Sequence, residues 1–247
     1  MRNLFAAIIL LLTVGCTLLQ PTPDLAWDHD PEALIIQAKS GGGLQPEAAY
    51  YNEIPRAQVW GDGRIIWQSR NEGGGRQVWQ GQLSEMETAD LLQTFADKGF
   101  FQLKDHYEPS AQVYDSSSTS LRVNLLAESK SVGEYHEGAP RRFHELVGLV
   151  SSGAGAEGQP YVPQAGYLTA ALVTPWDGLD TTAVPQWDTA VLGLDLEEAA
   201  GVWVEGEALA RAWEIVNQKY WSPMVVQGDA YYELYLQLPE LTGREVR

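Results

Sequence analysis

Ala57-Gln-Val-Trp-Gly-Asp-Gly-Arg-Ile-Ile-Trp-Gln68 is the stretch that decides the fold class. Asp62-Gly63 supplies the positive φ angles that a two-residue hairpin turn needs. β-branched and aromatic residues flank it on both sides, as strands against a core require. A two-residue turn sets Trp60 opposite Ile65, with Trp67 farther along the same face and Val59 and Ile66 on the other.

Working outward, Ala33-Leu-Ile-Ile-Gln-Ala-Lys39 reads as a strand that Gly41-Gly-Gly43 breaks. After the hairpin, Arg76 to Gln82 reads as a third strand. A helix opens at Ser84, because Ser84 and Glu87 can satisfy two orphan backbone donors reciprocally in a capping box. Leu91, Leu92 and Phe95 share its inner face, and Gly99 can close it. Beyond a loop at Ser110–Ser118, two strands are predicted at Ser120–Leu126 and Ser131–His136. A second helix starts at Pro140, with Phe143, Leu146, Val147 and Val150 facing inward. Strands, helix, strands, helix is an α+β order with a mostly antiparallel sheet and a few packed helices, over residues 33–152.

Residues 153–164, rich in Gly and Ala, read as a flexible linker. A smaller α+β unit, 165–247, is expected to pack on the first, giving two compact units. It has strands near Tyr167–Val173 and Gly201–Val204 and a helix carrying Leu209, Ala212, Trp213 and Val216 on one face. A hairpin turns at Gln227–Asp229. Its last strand alternates Tyr232, Leu234 and Leu236 with Tyr231, Glu233 and Tyr235.

At the other end stand Arg2, an apolar run from Leu4 to Leu12, and Leu12-Thr-Val-Gly-Cys16, which holds the single cysteine. A run this short falls below the ~20 residues that span a bilayer. The arrangement resembles the type II signal peptide of bacterial lipoproteins, departing from the pattern at Thr13, where Leu is usual. The resemblance implies that residues 1–15 are removed and that Cys16 is lipidated and anchors the protein to a membrane from the extracytoplasmic side. Residues 16–32, with Pro21, Pro23 and Pro31, are then a tether. Residues 33–152 are also similar to uncharacterised bacterial lipoprotein domains, which run strand, Asp-Gly hairpin, short helix, a Phe-rich turn such as Phe100-Phe101, and a further hairpin.

The formal net charge is -17, and loss of residues 1–15 removes Arg2 and no acid. Such a surface repels phosphate backbones, which argues against nucleic acid as a partner. With Cys16 acylated, thiol catalysis and cysteine-based zinc sites are excluded. None of the four histidines, His29, His106, His136 and His144, stands in a zinc-helix spacing. His106 and His136 could converge with Asp115, but no spacing requires it. No serine elbow, Ser-x-x-Lys pair or phosphate loop is present. The many acids single out no glycosidase pair. Gln77-Val-Trp-Gln-Gly81 resembles the Gln-x-Val-x-Gly loop of cystatins, but Trp79 replaces valine and the helix follows the hairpin instead of preceding it. Catalytic, metal and cofactor residues are therefore not expected.

Nine Trp and eleven Tyr remain. Aromatic faces stack on sugars or anchor partners, and they also fill cores. Trp60, Trp67, Trp79, Tyr231 and Tyr235 are the candidate binding surface. The expected function is a lipid-anchored binding protein for an envelope protein or a glycan, with an envelope hydrolase bearing an acidic site as the alternative. Intact-mass measurement on protein recovered from membranes is expected to show a chain beginning at Cys16 with a diacyl mass gain, lost in Cys16→Ala.

Overall fold

The computed structural model describes residues 23–71, 75–219, 221–243 and 246. The signal segment and Cys16 lie outside the described residues. The fold is α+β and mostly antiparallel, built on two sheets. The first unit holds β1 (Leu34–Gly41), α1 (Glu47–Tyr51), β2 (Ala57–Trp60), β3 (Arg64–Arg70), β4 (Arg76–Gln82), α2 (Glu85–Asp97), β5 (His106–Tyr107), β6 (Ser118–Asn124), β7 (Ser129–Tyr135) and α3 (Arg141–Ser151). Then follow β8 (Gln159–Pro160), β9 (Gly166–Val173), α4 (Thr189–Leu192), β10 (Ala200–Val204), α5 (Gly206–Gln218), β11 (Met224–Gln227), β12 (Ala230–Gln237) and α6 (Pro239–Thr242). The large sheet runs β5-β7-β6-β1-β2-β3-β4-β8 and the small one β10-β9-β12-β11.

The hairpin is present, but its turn is one residue longer than expected. Gly63 N–H donates to the Trp60 carbonyl at 2.9 Å, and Gly63 sits at φ +85. This is a three-residue loop with a glycine bulge. Val59 therefore pairs with Ile65 and Gln58 with Ile66. A slip of one residue moves side chains to opposite faces. Trp67 joins Val59 and Ile65 in the core under α2 and α3, whereas Trp60 and Ile66 face the second unit. The expectation that the two tryptophans share a face is thus corrected.

One face of the large sheet is closed by α2 and α3. Ser84 and Glu87 form the capping box of α2. Phe95, Phe100, Phe143 and Leu146 are fully buried beneath these helices. The other face is closed over β2, β3 and β4 by the second unit. Its helix α5 presents a broad apolar face, from Leu209 to Val216, to β12 and β4. Trp213 donates to the Tyr161 carbonyl at 3.1 Å, and Arg76 donates to Asn217 at 2.5 Å. The β1, β6 and β7 half of that face carries Lys39, Ser118, Ser120, Ser129 and Ser131, and the second unit leaves it open.

Two expected connectors are structural parts instead. The glycine-rich stretch after α3 does not act as a spacer: β8 pairs with β4, opposite Trp79 and Gln80. A Cβ at Gly153 or Gly158 would lie 2.8 or 2.7 Å from the Trp67 indole. The stretch is small because it cradles that ring. The tether is likewise shorter than expected. Trp27 is buried and donates to the Gly61 carbonyl at 3.1 Å, and Ala26 accepts from Leu126 at 2.8 Å. A Cβ at Gly61 would stand 2.0 Å from the Asp28 carbonyl. Residues 26–30 are therefore docked on the hairpin end of the sheet.

The units are locked by Asn52, 1% exposed. Its amide donates to the Leu234 carbonyl at 3.0 Å and accepts from Leu236 N–H at 2.6 Å. β11 pairs with β12 only as far as Glu233, so Asn52 stands in for the strand that would continue the ladder. Asn52→Leu is expected to leave two buried backbone groups unsatisfied and to cost about 2–5 kcal/mol. Gly158→Ala is expected to cost about 1–3 kcal/mol by overpacking Trp67. Urea denaturation of both variants checks these values.

Candidate functional site

The structure scatters the predicted aromatic surface. Trp60 and Trp67 are 4% and 8% exposed and fill separate cores. The Arg64 guanidinium caps the Trp60 ring at 4.1 Å. Trp79 is half-buried against the first core and donates to Ser69 at 3.2 Å. Tyr231 packs against Val184, Met224 and Val226 under the loop that follows β9. These four residues are packing elements and form no common surface. Tyr235 does not line a recess itself but packs on Tyr51, which lines one.

That recess is an open cleft of about 610 Å³ at the end of the large sheet away from Gly61. Lys39 and Gly41 of β1 and Ser118 and Ser120 of β6 form its floor, and Tyr50 and Tyr51 of α1 form a wall. The β1–β6 pairing brings Lys39 opposite Ser120 and Gly41 opposite Ser118. The rim is the glycine turn. Gly42 and Gly43 adopt φ +83 and +74, a pair of left-handed residues that side chains strain to reach. Gly41 lies against the Glu53 carboxylate: a Cβ there would stand 2.3 Å from its oxygen and push that flexible side chain aside. Ser118 donates to the Gly41 carbonyl at 3.1 Å and holds the turn on the sheet.

Tyr51 connects the cleft to the second unit. Its ring lies 5.4 Å from Tyr50 and 5.5 Å from Tyr235. Tyr235 donates to Glu233 at 2.9 Å, and Ser222 donates to the other oxygen at 3.1 Å. Burial, that hydrogen bond and the nearby Glu233 and Glu47 carboxylates push the Tyr235 hydroxyl above its ordinary range. Burial does the same to Tyr161.

The histidines do not assemble with Asp115. His136 bonds Ser116 at 2.8 Å, and His106 bonds Glu108 at 2.6 Å. His144 meets the buried Glu134 carboxylate at 2.9 Å, and Ala139 N–H donates to the same oxygen at 3.0 Å. This is a structural clamp between β7 and the start of α3. Among the described residues, no three or more His, Cys, Asp or Glu gather as metal ligands. The cleft offers hydroxyls, glycine backbone, one lysine, two carboxylates and two phenol rings. That set can hydrogen-bond and stack on a polyhydroxylated ligand.

Sequence reasoning passed over these residues. Gly41–Gly43 reads as a strand breaker, and Ser116–Ser118 as part of a solvated loop. The available signal was alternation: Ser118 and Ser120 share one face of β6, and Tyr50-Tyr51 follow the glycine turn.

Residues 53–152 match the family described as Domain of unknown function (DUF6438). The match takes in Glu53, Ser118 and Ser120 of the cleft, but not the glycine turn or the tyrosines. No curated protein and no solved structure matches the chain.

Tyr235 and Tyr161 hold their protons more tightly folded than unfolded. Their contribution is complete below the ordinary value of 10.0 and declines as pH rises above it. Stability is therefore expected to fall between about pH 8 and about pH 11, on the alkaline side of the ordinary tyrosine range. Tyr235→Phe is expected to fall less than wild type, as urea midpoints at the two pH values will show.

Proposed function

We propose that this chain is a membrane-tethered, extracytoplasmic binding protein of non-enzymatic type whose cleft takes a neutral glycan. The observation that carries the reading is the lining of the cleft: Ser118, Ser120, Gly41–Gly43 and Tyr50 on one open recess. Hydroxyls and backbone groups match sugar hydroxyls, and a half-exposed phenol ring matches the apolar face of a pyranose. The acidic surface disfavours anionic ligands.

The position of the cleft suits a tethered protein. Trp27 is bound at the Gly61 end of the sheet. The cleft opens at the far end of β1, about 25 Å away at strand rise. From Cys16 to Pro23 there are few residues, an extended reach of about 25 Å at most. A lipid at Cys16 would thus attach on the side of the Gly61 end, with the cleft at the opposite end of β1. Among the described residues, no helix is long and apolar enough to cross a membrane.

A second reading, an envelope hydrolase, draws on Glu47 and Glu53, which line the same cleft. Paired carboxylates are what glycoside hydrolysis requires.

Calorimetric titration of the full chain, purified in detergent, with cellobiose and N,N′-diacetylchitobiose is expected to show binding. Tyr50→Ala is expected to weaken it about tenfold, near 1.4 kcal/mol, while Trp79→Ala leaves it unchanged. Release of new reducing ends from the matching oligosaccharides, abolished in Glu53→Gln, would replace binding by hydrolysis.

A further inference from the structure

Beyond Tyr235, the same face of the small sheet carries further aromatic rings. Tyr235 lies on the outer face of β12, the face that also carries Glu233 and Gln237, opposite the buried Leu234 and Leu236. The register pairs Tyr235 with Thr169 and Gln237 with Tyr167, so Tyr167 is the diagonal neighbour of Tyr235 on the same face, about 7–8 Å away. Tyr167 in turn pairs with Trp203 across β9 and β10, their rings 5.7 Å apart. Trp203 is 59% exposed and Tyr50 48% exposed, so solvent reaches both ends of the row.

We infer that these rings, from Tyr50 through Tyr51, Tyr235 and Tyr167 to Trp203, form one track for an extended neutral polysaccharide chain whose end lies in the cleft. The inference rests on the glycan reading of that cleft and extends it from a terminal site to a chain-binding surface. Three physical features select the occupant. The first is spacing: centroids stand 5.4 and 5.5 Å apart from Tyr50 through Tyr51 to Tyr235, and 5.7 Å apart from Tyr167 to Trp203, a pace suited to consecutive pyranose rings within each group. The step from Tyr235 to Tyr167 between the groups is the wider diagonal of the sheet. The second is polarity. Thr169 lies between the rings on the same face, which suits a ligand with apolar faces and hydroxyl edges better than an apolar peptide. The third is charge: the formal net charge of -17 opposes uronic-acid or sulfated chains and leaves neutral ones.

The ring planes narrow the class further. Contacting pairs are turned by 81°, 50° and 70° and are not coplanar. A flat crystalline polymer surface needs coplanar rings to stack on many chains at once. A turned row instead follows a single soluble chain as it twists. The edge strand β10 carries Trp203 at the outer end, so the chain can run on past the protein there.

The test is titration of the full chain in detergent with cello-oligosaccharides and fully N-acetylated chito-oligosaccharides from disaccharide to hexasaccharide, with oligogalacturonides as the anionic control. Affinity is expected to climb with chain length and then level off. Trp203→Ala is expected to weaken the hexasaccharide at least tenfold and leave the disaccharide unchanged, while Trp203→Phe restores most of the loss. Indole fluorescence is expected to respond to the long chains only. Affinity that is flat with length, with Trp203→Ala silent and Tyr50→Ala still weakening the disaccharide, would overturn the track and leave the cleft standing. Absence of binding to every neutral oligosaccharide would overturn both. Equal binding of the oligogalacturonides would overturn the neutral class.

Discussion

Gly63 in its left-handed conformation sets the register from which both cores follow. With φ at +85 it adds one residue to the hairpin loop, and a Cβ there would also collide with the Leu83 carbonyl at 2.2 Å. The consequence is steric and long-ranged. Every side chain after the turn changes face relative to a two-residue hairpin. Ile65 and Trp67 go beneath α2 and α3, and Ile66 goes toward α5. The large sheet thereby carries an apolar surface on both sides of β2, β3 and β4, and the protein needs a layer on each.

The rest of the assembly answers that need. On the helical side, Trp67 extends past α3, and the chain that follows must approach the ring closely, which only small residues permit. Gly153, Gly158 and Gly81 supply the space. On the opposite side, the second unit covers Trp60, Ile66 and Val78 and is tied down by Asn52, Arg76 and Trp213. Asn52 is also the residue that ends α1. The lock between units and the placement of Tyr50 and Tyr51 at the cleft therefore come from one short segment. A ligand in the cleft would touch the helix that joins the two units.

The cleft exists because cover stops partway across the sheet. β1, β6 and β7 present serines and Lys39 where β2 to β4 present large apolar residues. Burying those hydroxyls without partners would cost free energy, so the second unit ends at α1 and leaves them to solvent. The glycine turn beside them gives backbone groups that a side chain would hide. The result is a polar recess next to an aromatic row, with the docked segment around Trp27 at the other end of the sheet.

Local chemistry made much of the fold legible. The capping box at Ser84 and Glu87, the inner faces of α2, α3 and α5, and the alternation along β12 follow from periodicity and hydrogen-bond geometry within a few residues. Those signals determined the α+β class and the mostly antiparallel pairing. The faces of Trp60 and Trp67 were not legible, because Asp-Gly serves both two- and three-residue loops and the choice depends on what waits on each face of the sheet. The small residues after α3 fit a spacer or a cradle equally well until Trp67 is placed against them. The cleft was least legible of all: Lys39 and Ser118 lie far apart in sequence and meet only through the β1–β6 register, and α1 sets Tyr50 beside them. Sequence determines what a segment can form. Tertiary packing decided which side chains remain exposed, since exposure depends on every other element that competes to cover them.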